Sequence, residues 1–509
     1  MSRRYGSSSR RTWIASILAL SAATLSGALV LKAQALKTTV SIQGERFFIN
    51  GSVTYPGAPA EGLLLNSRMV QATFDDENPS TVGRSAYPDT GAWDAERNVR
   101  EFIAALPLYA SKGLKAVTLN LQGGSPGWSK ADNQPGITTA FNSDGTLKPA
   151  WMSRVDRAIR AADQQGIVVM LGLFYFGQDH RLANETAVIR AVDAVTDWLL
   201  VQDFRNVLVE VNNEADIYYN HAILKPTRVT ELINRVKQRS GGKLKVSTSL
   251  AGGSIPSSAI VSASDYILLH GNGQSASQVA AMVDKVRALT AFKSKPKPIV
   301  FNEDSVSVPN LNAAVGRRAS WGYYDQGRND YFEGFQSPPV YWGIHPNDTH
   351  KVQFFNRVAE LAGATTTPPP PSGDLRVTSF TLINTVTNQP VSGFETLSGG
   401  DVTLNLAQLP TSALTLRANT SPAIVGSVRF GLNTNSSYSL ENDAPYSLTG
   451  DTNGDYVPWS LGVGTHSVSA RPYSASGGGG TAGSALGVRL LIVEDSSAPG
   501  PPSNVRIIR

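Results

Sequence analysis

The regular alternation of short apolar runs with amphipathic segments between residues 40 and 362 is the feature that most constrains the fold. Strands buried on both faces are continuously apolar, and their alternation with helices predicts a parallel sheet. A first strand near residues 52–55 and a last strand near residues 320–324 bring the predicted strands to eight. The other predicted strands are 116–121, 167–176, 207–211, 244–249, 266–270 and 298–301, and the predicted helices are 101–112, 151–165, 187–200, 229–240, 277–290 and 351–362.

Eight predicted strands alternating with helices within residues 36–363 predict a (β/α)8 TIM barrel, an α/β fold whose helices surround a closed parallel sheet. The competing fold is a doubly wound open sheet, which carries a glycine-rich phosphate-binding turn after its first strand. No such turn follows the first predicted strand here. The barrel is therefore the favoured fold.

A threonine- and proline-rich segment at residues 364–373 predicts a linker. The pattern of apolar and polar residues changes after this segment. Residues 374–495 contain short β-like segments separated by Gly, Asn, Ser and Asp, which predicts an all-β, Ig-like sandwich. Residues 496–509 are predicted to be a flexible tail. The sandwich either binds carbohydrate or acts as a spacer, and its single tryptophan, Trp459, favours the spacer. The predicted strands are 377–384, 402–406, 414–418, 427–432, 465–472 and 488–493.

Residues 1–35 have the layout of a secretory signal peptide. Four arginines precede an apolar stretch at residues 13–31, and Ala33-Gln34-Ala35 resembles a cleavage site. Residues 9–14 also resemble a twin-arginine export signal. The alternative is an uncleaved membrane anchor, because the apolar stretch is long enough to span a bilayer. The sequence therefore predicts a secreted protein.

The positive charge of the chain is located in this N-terminal segment. The chain has 45 basic and 40 acidic residues, and removing the five basic residues of the segment leaves 40 against 40. A neutral mature protein gives no electrostatic reason to expect nucleic acid, or a membrane unless the apolar segment is retained.

Cofactor and metal sites are not predicted either. The chain has no cysteine, which excludes disulfides, thiolate metal sites and cysteine nucleophiles, and its six histidines are scattered. Residues 451–455 have the carboxylate spacing of a calcium loop, but Tyr456 stands where that loop needs glycine. A turn between two strands is the favoured interpretation of that segment.

Two glutamates mark the candidate active site. The fourth predicted strand leads to Asn213 and Glu214, and the seventh leads to Glu303. Strands four and seven lie on opposite sides of an eight-stranded barrel, so groups at their carboxyl ends face each other across its mouth. Two facing carboxylates suit glycosidic bond cleavage, in which one carboxyl donates a proton and the other attacks the sugar or activates water.

With these residues in these places, residues 38–362 resemble the clan A glycoside hydrolases, which include the cellulase-type family five enzymes. The resemblance implies that Glu214 is the general acid/base, Glu303 the nucleophile and Asn213 a partner of the sugar 2-hydroxyl. It also implies a retaining double displacement, with the carboxyls roughly 5–5.5 Å apart. The sequence departs from the family at Ala215, where many relatives have proline, and it shows no clear equivalent of the family's arginine near the nucleophile.

Further residues at strand ends are candidates for substrate binding. The resemblance implies that His270 contacts the nucleophile and that Trp321 stacks under the sugar. Tyr175, Asn120 and Gln122 end predicted strands and are candidates for binding hydroxyl groups.

Each candidate also has a structural interpretation. Glu214 can start a helix, Glu303 can pair with a basic residue, and Trp321 can be a core side chain. Glu210, deeper on strand four, is interpreted as a buried group that is hydrogen-bonded or ion-paired. The alternative function is a non-catalytic glycan-binding or cell-surface protein on the same scaffold. The expected partner is a neutral glycan in a cleft formed by residues 58–93 and 323–342.

Overall fold

The computed structural model describes residues 35–123, 133–325, 331–345, 348–364, 375–421, 425–442, 444–452 and 455–494. The predicted tail lies outside these residues, as do the predicted signal peptide except Ala35 and the predicted linker except Ala364. In the described part of the chain, no helix combines the length and apolarity needed to cross a bilayer.

A small antiparallel sheet precedes the parallel strands. It consists of β1 (Val40–Gln43), β2 (Arg46–Ile49) and β3 (Ser52–Val53). The prediction that residues 52–55 form the first parallel strand is therefore wrong. That strand is β4 (Asn66–Arg68), which is fully buried although all three of its residues are polar. A strand with polar buried side chains lacks the apolar signal on which the prediction depended.

The parallel strands form a closed ring. They are β4, β5 (Ala116–Asn120), β6 (Val168–Phe174), β7 (Val207–Asn212), β8 (Lys245–Ser247), β9 (Ile267–His270), β10 (Ile299–Glu303) and β11 (Gly322–Tyr323). Six of them pair in the order β11-β4-β5-β6-β7-β8, and β9 pairs with β10. Backbone hydrogen bonds join the two sheets, from Phe301 N to Ser320 O and from Asp265 N to Val246 O, each 2.9 Å long. This arrangement is that of a (β/α)8 barrel.

Helices cover the outside of the ring. They are α1 (Ala95–Ser111), α2 (Pro149–Gln164), α3 (Glu185–Val201), α4 (Val229–Arg239), α5 (Ser258–Ala263), α6 (Ala276–Ala288), α7 (Thr290–Ser294), α8 (Val308–Gly316) and α9 (Thr349–Ala362). The Asp94 side chain caps α1 by accepting hydrogen bonds from the backbone N–H groups of Glu96 and Arg97. Gly363 ends α9 in the left-handed conformation that glycine adopts without steric cost. All six predicted helices overlap helices of the structure, whereas the short α5, α7 and α8 were not predicted.

The interior of the ring is tightly packed around polar side chains of β4. A Cβ added to Gly322 would lie 2.3 Å from Asn66 Oδ1 and 3.0 Å from the backbone oxygen of Phe301. Asn66 Nδ2 donates hydrogen bonds to the backbone oxygens of Leu64 and Phe301, both at 3.1 Å. Glycine at position 322 therefore leaves room for the asparagine side chain that joins the first and seventh strands.

We expect Gly322→Ala to destabilise the barrel by about 1–3 kcal/mol, because the added methyl group overpacks a filled site. Urea unfolding monitored by tryptophan fluorescence measures the change. The matched control is Gly316→Ala at the end of α8, where an added Cβ has no neighbour within 4 Å. Equal midpoints for the two variants would contradict the proposed packing role of Gly322.

The C-terminal region consists of β-strands around a separate apolar core. Its strands are β12 (Arg376–Asn384), β13 (Gln389–Pro390), β14 (Gly400–Asn405), β15 (Leu414–Ser421), β16 (Ser427–Leu432), β17 (Asn435–Glu441), β18 (Asp451–Thr452), β19 (Asp455–Tyr456), β20 (Gly464–Ala475), β21 (Gly479–Ala482) and β22 (Leu486–Val493). One sheet has the order β13-β12-β15 and another the order β14-β22-β20-β16-β17, with β21 beside β20. Phe380, Leu416, Phe430, Trp459 and Leu490 belong to the shared core.

Each of the six strands predicted in this region overlaps a strand of the structure. The prediction did not include β17, whose side chains are mostly exposed and polar. Asp451 and Thr452 pair in antiparallel fashion with Tyr456 and Asp455. This pairing agrees with the interpretation of the segment as a turn between two strands.

Candidate active site

The carboxyl ends of the fourth and seventh barrel strands bring two glutamates together. Glu214 follows β7 by two residues, and Glu303 is the last residue of β10. One carboxylate oxygen of each and one ring nitrogen of His270 lie within 4.8 Å of one another. Both glutamates are largely buried, with 7% and 5% of their surface exposed. The predicted pair thus forms a single compact site.

His270, at the end of β9, bridges the two glutamates. Its Nδ1 atom lies 3.0 Å from Glu214 Oε1 and 3.6 Å from Glu303 Oε2. Burial by itself would lower the pKa of His270, but the charges of Glu303 and Glu214 outweigh burial and raise that pKa. The predicted proximity of His270 to Glu303 is therefore seen in the structure, and the ring also contacts Glu214.

Arg68, at the end of β4, is a site residue that the sequence analysis missed. Its Nε lies 2.9 Å from Glu303 Oε2, its Nη1 lies 3.9 Å from Glu210 Oε2, and its Nη2 donates a 2.6 Å hydrogen bond to Asn213 Oδ1. Burial opposes the charge of Arg68, yet the two carboxylates raise its pKa above the ordinary value. The available signal was an arginine three residues after the apolar run Leu63-Leu64-Leu65, and it was overlooked because the first strand was placed elsewhere.

Glu303 is held from its other side as well. Asn272 Nδ2 donates a 2.9 Å hydrogen bond to Glu303 Oε1. Tyr324 follows β11, and its ring centre lies 5.6 Å from the guanidinium carbon of Arg68. Burial raises the pKa of Tyr324, and the charge of Glu303 adds to that shift. Neither Asn272 nor Tyr324 was predicted from the sequence, because loop asparagines and tyrosines carry no distinctive pattern.

The backbone at Glu214 adopts a left-handed conformation, with φ of +50°. This region is unfavourable for a residue with a Cβ atom, and such strain persists only when surrounding contacts enforce it. Here the backbone N–H of Glu214 donates to Ser249 Oγ at 3.0 Å, and the N–H of Ala215 donates to Ser249 O at 2.9 Å. The Tyr219 hydroxyl donates to the backbone oxygen of Asn213 at 2.6 Å. These bonds direct the Glu214 side chain into the site.

The remaining predicted residues occupy different environments. Asn213 is buried and accepts a hydrogen bond from Arg68, and burial together with the neighbouring Tyr324, Glu303 and Glu214 raises the pKa of Tyr175, so both residues lie at the site. Trp321 is completely buried and packs on Phe301 with ring centres 5.1 Å apart. It therefore offers no exposed face to a sugar in this structure.

The two amides predicted on the second strand are directed into the fold. Asn120 Oδ1 lies where a Cβ on Gly172 would come within 2.2 Å of it. Gln122 Nε2 donates to Thr139 Oγ1 at 3.0 Å, and Gln122 Oε1 accepts from the backbone of Tyr175 at 3.2 Å. Gln122 is completely buried and Asn120 nearly so. In this structure both amides belong to the interior.

The two segments predicted to form the cleft contact each other. Tyr87 and Tyr331 pack edge to face, with ring centres 6.1 Å apart, and Tyr87 stacks on Trp93 at 5.6 Å. Gln71 Nε2 donates a 2.9 Å hydrogen bond to the backbone oxygen of Gln336. These contacts join the loop after the first strand to the loop after the eighth.

Asp304, directly after Glu303, gives the protein a pH-dependent stability. Burial raises the pKa of Asp304 to about 8, although Ser305 and Asn310 oppose the shift. The folded state therefore holds a proton that the unfolded state releases above its ordinary pKa of about 3.9. Between these values the free energy of unfolding falls as pH rises, by at most about 1.4 kcal/mol per pH unit for one group. The raised pKa of His270 acts in the same direction at higher pH.

We expect Asp304→Asn to flatten this decline, because asparagine is neutral at every pH in the window. Urea midpoints of wild type and variant from pH 5 to pH 8 provide the measurement. The stability difference between them is expected to move in favour of the variant as pH increases. Parallel stability curves would show that Asp304 is not the group that titrates.

The same three side chains could also bind a cation, because two carboxylates and an imidazole are acceptable ligands for a divalent metal. Glu303 already has the positively charged Arg68 at 2.9 Å, which supplies the compensation that a metal ion would bring. The absence of a metal cofactor remains a prediction from the sequence.

Comparisons with known proteins give distant similarities. No family model and no curated protein matches the sequence. A solved structure described as a glycoside hydrolase shares 10% identity, covering 91% of this chain and 98% of its own, with a TM-score of 0.44. A family 5 glycoside hydrolase from Bacteroides vulgatus ATCC 8482 shares 13% identity over 82% and 92%, with a TM-score of 0.43. An endo-beta-1,4-mannanase from Thermotoga petrophila shares 11% over 85% and 98%, with a TM-score of 0.35. These values do not establish a family for this chain.

Proposed function

We propose that the chain is a secreted glycoside hydrolase that cleaves β-glycosidic bonds with retention of configuration. The observation that carries this proposal is the placement of Glu214 and Glu303, whose carboxylate oxygens approach within 4.8 Å. Retaining enzymes hold their two carboxyl groups roughly 5–5.5 Å apart, whereas inverting enzymes leave roughly 6.5–9.5 Å for a water molecule. The short approach therefore favours direct attack on the sugar.

The different surroundings of the two glutamates suggest their roles. The permanent positive charge of Arg68 stabilises the carboxylate form of Glu303, which suits the nucleophile. Glu214 contacts the imidazole of His270, a group that can exchange a proton. Glu214 donates its proton to the glycosidic oxygen as the bond to the anomeric carbon breaks, and Glu303 bonds to that carbon. Water then attacks the anomeric carbon and gives a proton to Glu214. The bond between that carbon and Glu303 breaks, which regenerates the Glu303 carboxylate and releases the sugar.

The test is hydrolysis of a panel of β-linked glucans, mannans, xylans and aryl β-glycosides, with the first anomer of the product identified by proton NMR. We expect at least one β-linked substrate to yield the β-anomer first, and EDTA to leave the rate unchanged. An initial α-anomer would contradict the retaining mechanism. Complete inactivity on the panel, with glycan binding retained, would favour the non-catalytic alternative.

Export and the C-terminal region complete the proposal. Cleavage after Ala35 predicts a secreted mature protein beginning at Leu36, which mass spectrometry of the exported chain can verify. The C-terminal strands are proposed to form an Ig-like spacer. This interpretation is supported by Trp459, which is 7% exposed and packs in the core of that region rather than forming a surface platform.

A further inference from the structure

We propose that Glu210 is a positioning residue that fixes the relative placement of Glu214 and Glu303, a role that rests on the proposed hydrolase function. Glu210 lies on β7, four residues before Glu214 in the sequence, and is completely buried. A buried carboxylate is costly unless it is paired and hydrogen-bonded, so its contacts indicate what it holds.

One oxygen of Glu210 leads to the acid/base glutamate. The backbone N–H of Glu214 donates to Ser249 Oγ at 3.0 Å, and the Ser249 hydroxyl donates to Glu210 Oε1 at 2.6 Å. The Ser249 hydroxyl has a single proton, which it donates to the Glu210 carboxylate, so its oxygen is left to accept the bond from the Glu214 N–H. Glu210 thereby orients the serine that supports the left-handed backbone of Glu214.

The other oxygen leads to the nucleophile. Asn302 Nδ2 donates to Glu210 Oε2 at 3.0 Å, and Asn302 directly precedes Glu303 on β10. Arg68 Nη1 lies 3.9 Å from the same oxygen while Arg68 Nε lies 2.9 Å from Glu303 Oε2. Glu210 therefore shares one guanidinium with Glu303 and fixes the residue before it.

These contacts join four barrel strands or strand ends at one carboxylate. The first contributes Arg68, the fourth Glu210 itself, the fifth the segment with Ser249, and the seventh Asn302. A site whose reacting groups must hold their separation to a fraction of an ångström needs such a fixed reference. Glu210 accepts hydrogen bonds from both Ser249 and Asn302, and so connects the segments that carry the two glutamates of the proposed pair.

The test compares Glu210→Gln with wild type on an active aryl β-glycoside. Glutamine removes the negative charge and turns a donor toward Arg68 and Asn302. We expect kcat to fall on the order of 10- to 100-fold with little change in KM, as for a misplacement of about 1 Å. Without the negative charge of Glu210, the positive charge of Arg68 is less compensated. It should therefore lower the apparent pKa values of both the acidic and the basic limb of the activity–pH profile. Tyr219 and Tyr266 also face Glu210, but burial raises their pKa values well above the working range.

Two further variants separate positioning from general stability. Glu210→Asp keeps the charge and should keep the pH limbs while losing part of kcat. Asp163→Asn is the matched control, because Asp163 is a completely buried carboxylate that accepts the backbone N–H groups of Lys37 and Thr38, away from the site. It should lower the melting temperature without moving the pH limbs. If Glu210→Gln does not fold, Ser249→Ala carries the test, since it removes only the hydroxyl between Glu210 and Glu214.

The outcomes distinguish this inference from the proposed function. Wild-type activity with an unchanged kcat and pH profile in Glu210→Gln overturns the positioning role and leaves the hydrolase intact. If the wild type cleaves nothing, the hydrolase proposal fails, and NMR titration of His270, assigned with His270→Gln, tests the positioning role directly. A lower His270 pKa in Glu210→Gln supports the role, because the charge of Arg68 already lowers that pKa. An unchanged His270 pKa overturns it.

Discussion

Replacing Glu303 with alanine is expected to lower kcat on the order of 10⁴-fold or more, the scale seen when a nucleophile is removed from an enzyme. The loss should appear on every substrate, because in the proposed mechanism each bond cleavage requires attack by this carboxylate. A 2-deoxy-2-fluoro glycoside of the best substrate should label the wild type on Glu303, which peptide mass spectrometry detects. Full activity in Glu303→Ala, or a label on another residue, would contradict the proposed role.

Glu214→Gln serves as the internal comparison for the same prediction. General acid catalysis contributes about 10²–10⁴-fold, and its value depends on how poorly the leaving group departs without a proton. We therefore expect a large loss with an alkyl or sugar leaving group and a much smaller loss in the first step with a dinitrophenyl leaving group. Glu303→Ala should show no such dependence. Glu45→Gln, which breaks an ion pair with Arg287 outside the candidate site, should retain activity.

Replacing Arg68 with methionine is expected to destabilise the barrel by about 3–5 kcal/mol, the cost of leaving buried carboxylates without their partner. Arg68 is 1% exposed and faces Glu210 and Glu303, so neither carboxylate would regain full hydration. Urea unfolding at pH 7 measures the change. The destabilisation should diminish at low pH, where the carboxylates of the variant become protonated and lose their charge.

Two variants accompany this measurement. Arg68→Lys keeps the charge but has a single ammonium group, which cannot match three contacts spread over a guanidinium, so it should recover only part of the stability. Arg190 on α3 forms an exposed ion pair with Asp144, and Arg190→Met, which breaks that pair, should leave the midpoint unchanged. A midpoint for Arg68→Met equal to that of Arg190→Met would show that Arg68 does not compensate the buried charge.

The parts of the fold that could be predicted from the sequence are those with a clear apolar periodicity. The runs that became β5, β6, β7, β9 and β10 are continuously buried, and their ends located Glu214, His270 and Glu303. The first strand was misplaced because its buried residues are polar and satisfied by partners distant in the chain. Because that strand was misplaced, Arg68 was not predicted as a site residue. Its role also depends on contacts with residues more than a hundred positions away in the sequence.

Side-chain direction was the other property that the sequence did not determine. Trp321 precedes β11 and was expected to face a sugar, yet its ring is completely buried while Tyr324 lies beside Arg68. A shift of one residue reverses the face on which a strand side chain lies, so a strand end a few residues long does not define which aromatic residue faces the site. Register comes from pairing with neighbouring strands, which a single sequence does not display.

The left-handed backbone at position 214 has a consequence for the evolutionary history of the chain. Asparagine and glycine occupy that conformation with less strain than glutamate, by roughly 1 kcal/mol. Random substitution filtered by folding alone would therefore drift toward those two residues. Glutamate at this position therefore costs a little stability, and the acid/base role proposed for Glu214 is what would offset that cost.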